Sequence, residues 1–448
     1  MGAVELPDGR RRYSSSFLWG ASIVFLVGCM ISVELICLGA LYFIDTFRGR
    51  DTSHFALQYL VTRPFASQPN PAPGKRFLGN LDSYDLFWGK IYTPDSLLGW
   101  RMAPNIAAWQ GDEVYLYITD SNGFISSLDD PPVSTTKPQD LYRIIVLGGS
   151  TVMGQGARFP SDNLVGMLRK IAAERKVTGP EGQRVEFVNA GVGGYQSGQE
   201  YLYLASDLLR FHPDLVIVYD GWNDSVYQNR LLTKYGVSSA LRTEQHREMS
   251  RRVADSFSVG GSLRLFLRNA GNALRSHHSG RLATVELLER VTWRIWPFRS
   301  PAVGAKKRAD IRFDPRSIQL YGQNLKSILA LGHDGDLRVA LFLQPLAGVD
   351  GKTFSDKEKA ARWFPRVISE MSYRGPFYEA ARTMLVGLEQ EHRKPAACIA
   401  DLSRVFAGIS ETVYVDTGHL LPRGNEIVAQ RMIDELISCR QVLEETHR

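Results

Sequence analysis

Cysteine is scarce in this chain of 448 residues: there are 4, and no two of them stand as Cys-x-x-Cys. That excludes a disulfide-dense miniature scaffold and the common thiolate zinc sites. An excess of one charge is also missing, since 53 Lys+Arg face 47 Asp+Glu for a net charge of +6. The surplus is local. Arg242 to Arg316 holds 16 Lys+Arg against 7 Asp+Glu, so the remainder is slightly acidic. A uniformly basic nucleic-acid binder is thereby excluded. Glycine (40) and proline (21) are too few for collagen or for disorder throughout. Long apolar runs are limited to one, which rules out a multi-span membrane protein. The length exceeds a typical domain of roughly 100–200 residues, so one large or two moderate folded units with appendages are expected.

The one long apolar run is Phe17 to Ile44, whose only charge is Glu34. As a helix it covers the roughly 30 Å hydrocarbon core with some to spare. Trp19 at one end, with Tyr42 and Phe43 at the other, suits the two interfacial belts. Arg10, Arg11 and Arg12 precede the run and Arg48 and Arg50 follow it, a modest positive-inside bias. The expectation is a cytoplasmic tail (1–15), a transmembrane helix (16–44) and everything later on the extracytoplasmic side of an inner membrane. A cleaved leader is the competing reading, because Leu26-Val27-Gly28-Cys29 resembles a lipobox. Against it, the apolar run continues for 15 residues beyond Cys29. Glu34 in lipid calls for the outer interface or for a membrane partner protein. Outside the cytoplasm Cys398 and Cys439 are free to form a bridge, and two buried thiols are equally compatible with the sequence.

Residues 45–94, with Pro64, Pro69, Pro71 and Pro73 and no sustained periodicity, read as a linker or a loosely packed approach segment. Residues 95–140 carry short strand and turn signals, including Val114–Ile118. Then the pattern changes. Arg143–Leu147, Val185–Asn189, Leu215–Tyr219, Val339–Leu343 and Thr412–Val415 are short apolar runs, with helical periodicity at about 161–175 and 199–211. Apolar strands alternating with helices predict an α/β fold, a mainly parallel sheet covered on both faces. Ligands of such sheets bind beyond the carboxyl ends of the strands.

Four blocks follow those strand ends: Gly148-Gly149-Ser150-Thr151, Asn189-Ala-Gly-Val-Gly-Gly194, Gly221-Trp-Asn223-Asp224 and Asp416-Thr-Gly-His419. Familiar alternatives fail. A nucleophile elbow needs glycine where Val152 stands, a phosphate loop needs lysine where Gln155 stands, and a dinucleotide loop needs glycine where Gln196 stands. His277 and His278 have no companion ligands nearby, so no metal site is expected. What remains is coherent chemistry. Ser150 is a weak nucleophile that needs a base. His419 suits that task, and Asp416 three residues earlier can fix its tautomer. The Ser150 N–H, the Gly194 N–H and the Asn223 side-chain amide can receive an oxyanion. Asp224 reads as a structural hydrogen-bonding group, Ser197 and Gln199 as helix caps, and Gln344-Pro345 as a candidate pocket lining.

These blocks resemble the SGNH, or GDSL-type, hydrolases. Gly-x-Asn-Asp and Asp-x-x-His match fully, the glycine loop places the family's oxyanion glycine on Gly194, and the opening Gly-Asp-Ser departs at Gly149. The resemblance covers roughly residues 140–225 and 336–440. It implies a three-layer α/β/α domain (95–445) with an extension at 95–140 and a basic insertion at 226–335. It also implies an esterase acting on an acylated glycan or small ester through an acyl-serine, without a cofactor. An O-acyltransferase using the same serine, or a noncatalytic membrane subunit retaining the fold, are the rivals. The insertion contains Arg-rich, apolar-faced stretches at 262–276 and 285–300. They read first as a helical subdomain, and otherwise as an interfacial patch carrying Trp293, Trp296 and Phe298 or a groove for an acidic polysaccharide.

Overall fold

The computed structural model describes residues 91–110, 115–235, 311–333, 337–392, 397–439 and 442–445, with short pieces at 3–5, 11–13 and 76–80 and isolated helical positions between 25 and 40. The chain divides into two units, residues 1–70 with 259–304, and residues 71–258 with 305–448. In the first, β1 (Ala3–Glu5) pairs antiparallel with β2 (Arg11–Tyr13). The expected transmembrane segment lies almost wholly outside the described residues, and among those described no helix is long and apolar enough to cross a membrane. The Arg-rich stretches at 262–276 and 285–300 also lie outside them.

The second unit carries the sheet. Before it, β3 (Arg76–Asn80), β6 (Ile106–Gln110) and β7 (Tyr115–Ile118) make a three-stranded sheet, and β4 (Tyr92–Asp95) pairs with β5 (Gly99–Met102) as a hairpin. The main sheet has the order β13-β12-β11-β8-β10-β9-β14. Its parallel part is β8 (Leu141–Gly148), β10 (Arg184–Asn189), β11 (Leu215–Asp220), β12 (Arg338–Leu343) and β13 (Ala397–Asp401). Two short antiparallel strands, β9 (Val177–Thr178) and β14 (Glu444–Glu445), extend one edge. Every residue of β8 and β11 is buried, which is why their middles, Ile144–Leu147 and Leu215–Val218, are Val/Ile/Leu runs with no polar alternation. Each fully buried aliphatic side chain there contributes on the order of 2 kcal/mol of transfer free energy.

The helices are α1 (Ser150–Met153), α2 (Leu164–Glu174), α3 (Ser197–Ser206), α4 (Trp222–Tyr235), α5 (Arg316–His333), α6 (Asp356–Ala360), α7 (Phe364–Glu391) and α8 (Pro422–Ser438). α2 and α8 cover one face, burying Leu168, Ile171, Met432 and Ile433 with Ile144 and Val146. α3, α5 and α7 cover the other, burying Leu204, Leu325, Phe377 and Leu385 with Ile145 and Leu147. The Cys398–Cys439 disulfide ties β13 to the end of α8.

One of the expected strands is absent. Thr412–Val415 is not a strand, and Ala397–Asp401 takes the fifth parallel place. The Val413 and Tyr414 N–H groups are claimed by the Glu358 carboxylate, and the Val415 N–H by the His419 carbonyl, so no ladder can form there.

Register brings Gly148, Asn189, Asp220, Leu343 and Asp401 to one edge of the sheet. β10 lies on one side of β8 and β11 on the other, so the chain leaves β8 at a topological switch point. A crevice opens at such a point between loops that diverge.

Candidate active site

The residues of the four blocks converge at that edge. Gly149 follows β8, and Ser150 opens the single-turn helix α1, which closes on Gly154 in the left-handed conformation. Ser150 Oγ lies 2.6 Å from His419 Nε2, and His419 Nδ1 lies 2.7 Å from Asp416 Oδ2. The other Asp416 oxygen accepts the backbone N–H groups of Gly418 and His419, both at 2.9 Å. The acid and the imidazole are therefore fixed within one tight turn. Burial alone would push the Asp416 carboxyl up, but the facing imidazole and these two N–H groups outweigh it and hold its pKa far below the ordinary carboxylate value. Ser150 and His419 are both buried, at 7% and 5% exposure.

Asn223 is carried on the first turn of α4, after Gly221 with φ +115°. Its side-chain amide donates to the Tyr195 carbonyl at 2.8 Å, leaving a second hydrogen on the same nitrogen. That nitrogen also lies against the residue before the serine: a Cβ on residue 149 would stand 2.5 Å from Asn223 Nδ2. The absence of a side chain at Gly149 thus accompanies the close approach of the amide. Gly194, with φ +84°, sits in a loop tied to the serine turn on two sides. The Val192 N–H donates to the Gly148 carbonyl at 3.1 Å, and Asn189 Nδ2 to the Val152 carbonyl at 2.8 Å. All five residues expected at the site, Ser150, Gly194, Asn223, Asp416 and His419, stand on elements that meet here.

Other groups hold the site without being evident in the sequence. The Trp222 ring meets the His419 ring edge-on, with centroids 4.6 Å apart, and a Cβ on Gly418 would collide with that indole at 2.5 Å. On another side the buried Arg374 guanidinium lies 5.7 Å from the Trp222 ring centre, donates to Thr417 Oγ1 and pairs with Glu370. Glu358 holds the approach to Asp416: one oxygen accepts the Val413 and Tyr414 N–H groups and the other accepts Lys352 Nζ and the Ser355 N–H. Asp224 is a structural group as expected, accepting from the Ser197 hydroxyl at 2.7 Å. Ser197 and Gln199 are not caps, since Ser197 serves Asp224 and Gln199 reaches the Leu98 carbonyl at 2.8 Å. Gln344 is buried just beyond β12, where its backbone N–H donates to the Asp220 carbonyl at 2.9 Å. Behind the site Asp220 accepts from Tyr321 OH at 2.6 Å, and burial, reinforced by Asp224, pushes its pKa well up.

Among the described residues no group of three or more His, Cys, Asp or Glu is arranged to hold a metal ion. The arrangement can lift a proton from a hydroxyl, pass it on, and present amide donors to a nascent negative charge.

No model of a known protein family matches this sequence, and no curated protein matches it either. Among solved structures it is similar to an acetyl xylan esterase, at 14% sequence identity and a TM-score of 0.36, covering 66% of this chain and 100% of that one. A lipase/acylhydrolase from Enterococcus faecalis gives 15% and 0.34, covering 68% and 100%. An acetylxylan esterase from Geobacillus stearothermophilus gives 12% and 0.34, covering 66% and 93%. Likeness of this degree carries no functional weight, which falls on the geometry.

Proposed function

We propose that this chain is a serine esterase of SGNH type that hydrolyses small acyl esters through an acyl-serine intermediate. The observation that carries the reading is the relay from Ser150 Oγ to His419 Nε2 at 2.6 Å and from His419 Nδ1 to Asp416 at 2.7 Å. Ser150 Oγ attacks the ester carbonyl while its proton passes to His419 Nε2, and Asp416 keeps the Nδ1 hydrogen in place. The carbonyl oxygen becomes an oxyanion and is received by the Ser150 N–H, the Gly194 N–H and the second hydrogen of the Asn223 amide. Collapse breaks the ester C–O bond, and His419 returns its proton to the leaving alcohol. Water, deprotonated by the same imidazole, then releases the acid from Ser150. No step calls on a metal or organic cofactor.

The buried serine and histidine favour a small acyl group such as acetyl. The substrate we assign is an ester on an envelope or exported glycan, acted on by a domain tethered by residues 16–44 on the extracytoplasmic face of the inner membrane. The Cys398–Cys439 disulfide suits that compartment. An intact N-terminal mass decides the tether: a chain beginning at a lipidated Cys29 contradicts a spanning helix.

The test of the reaction is turnover of aryl esters of increasing acyl length by the full-length chain. Acetate hydrolysis that disappears in Ser150→Ala, with one acid released per alcohol whether or not a sugar acceptor is present, supports the proposal. A folded wild type without turnover contradicts it.

A further inference from the structure

The β4–β5 hairpin lies upstream of the serine block, yet its contacts run to the loop that carries Gly194. Trp100, on β5 and fully buried, donates its indole N–H to the Gly193 carbonyl at 3.0 Å. The Tyr195 hydroxyl in turn donates to the Trp100 carbonyl, and the two rings pack edge-on with centroids 5.9 Å apart. Gln199 Nε2 donates to the Leu98 carbonyl at 2.8 Å, tying the hairpin also to the first turn of α3, which follows the loop. The hairpin is itself anchored, since Arg101 bridges Asp95 and Asp207.

The Gly193 carbonyl and the Gly194 N–H belong to one peptide unit. That unit is planar and trans, so its C=O and N–H point in opposite directions and turn together. Holding one end aims the other. The need is acute here, because a Gly-Gly peptide has no side chain to oppose rotation and Gly194 already occupies φ +84°. A hydrogen bond accepted at the carbonyl also polarises the unit and strengthens its N–H as a donor, by about 10–30% in chains of such bonds.

We propose that Trp100 is a positioning residue for the oxyanion pocket: its indole N–H holds the Gly193 carbonyl and so aims the Gly194 N–H at the oxygen of the tetrahedral intermediate. The hairpin is then a working part of the active site. This inference rests on the esterase reading.

Trp100→Phe in the full-length chain keeps most of the packing and removes the donor. Deleting an oxyanion donor outright costs about 100- to 1000-fold in kcat, and here the donor remains but is loosened, so a fall of about 10-fold is expected. KM for an aryl acetate stays near wild type, and inhibition by a trifluoromethyl ketone, which mimics the intermediate, weakens by the same factor as kcat. Titrating sites with a phosphonate separates this from mere loss of fold: a structural role would lower the number of titratable sites and leave kcat per site unchanged. If Trp100→Phe fails to fold, benzothienylalanine at position 100 trades the indole N–H for sulfur at nearly constant shape and gives the same reading. Wild-type kcat per site and wild-type inhibitor affinity in the variant overturn the inference alone. A wild type that hydrolyses no ester overturns the esterase reading, and the inference with it.

Discussion

Replacing Glu358 by alanine is the severest single change we expect outside the reacting groups. Glu358 and Lys352 form an ion pair at 2.8 Å with both side chains fully buried, and the carboxylate also accepts the N–H groups of Ser355, Val413 and Tyr414. Burial would push the Glu358 pKa up, but Lys352 and those three N–H groups overcome it and bring it below the ordinary value. Glu358→Ala strands a buried ammonium and three backbone donors, which puts the loss at about 3–5 kcal/mol. At roughly 2–4 °C per kcal/mol for a domain of this size, the melting temperature falls by about 10 °C. Because the folded-state pKa is depressed, the stabilisation is present above the unfolded-state value and is lost as pH falls through the folded one. The gap between wild type and variant therefore narrows on acidification. Thermal melts of the wild type, Glu358→Ala, Lys352→Met and the double variant form a cycle. Removing both charges should recover much of the loss, since it leaves no ion unpaired. A Glu358→Ala penalty below about 1 kcal/mol, or a double variant no better than the single, would refute the reasoning.

Asn223→Ala should lower kcat for an aryl acetate by about 100- to 1000-fold with KM changed far less; a matching rise in KM with kcat intact would assign the residue to substrate binding instead. Gly149→Ala introduces a Cβ that can be accommodated only by moving the Asn223 amide, the tip of a side chain, so stability should change little while kcat approaches that of Asn223→Ala. The two substitutions together should be no worse than Asn223→Ala alone, and additive losses would contradict the shared cause. Asp220 holds its proton in the folded state beyond the pH at which the unfolded chain releases it, so its contribution to stability declines as pH rises from about 4 through the raised value. Asp220→Asn imitates the protonated acid and still accepts from Tyr321, so its melting temperature should gain on the wild type across that window; parallel curves between pH 4 and 9 would count against it.

How much of this was legible in the sequence follows from where each signal lies. β8, β11 and β12 are fully or largely buried parallel strands and β10 is buried over its second half, and burial on both faces writes itself as a short apolar run closed by a turn. β13, with the sequence ACIAD, is too short and mixed to stand out, whereas the β-branched and aromatic run at 412–415 reads as a strand but is captured by Glu358, more than fifty residues earlier. α7, 28 residues long with Pro376 inside it, buries a face of Val367, Phe377, Ala381, Leu385 and Leu388 that Glu370 and Arg374 interrupt, while Ile368 and Val386 are exposed on the other side, so no apolar period stands out in the sequence. Both thiol states of Cys398 and Cys439 fitted the sequence, and the fold joins them. Residues that react or donate could be found because their chemistry restricts residue type and spacing. Trp100, Trp222 and Arg374 act by packing and by holding backbone in place, and no local pattern distinguishes them from core.

The measurement that bears most directly on the central claim is the site of a covalent adduct. The full-length chain is treated with a serine-reactive phosphonate, digested, and the modified peptide is sequenced by mass spectrometry. We predict stoichiometric modification at Ser150, with the rate of labelling collapsing in His419→Ala. No adduct on a folded chain, an adduct on another residue, or undiminished labelling in His419→Ala would contradict the account.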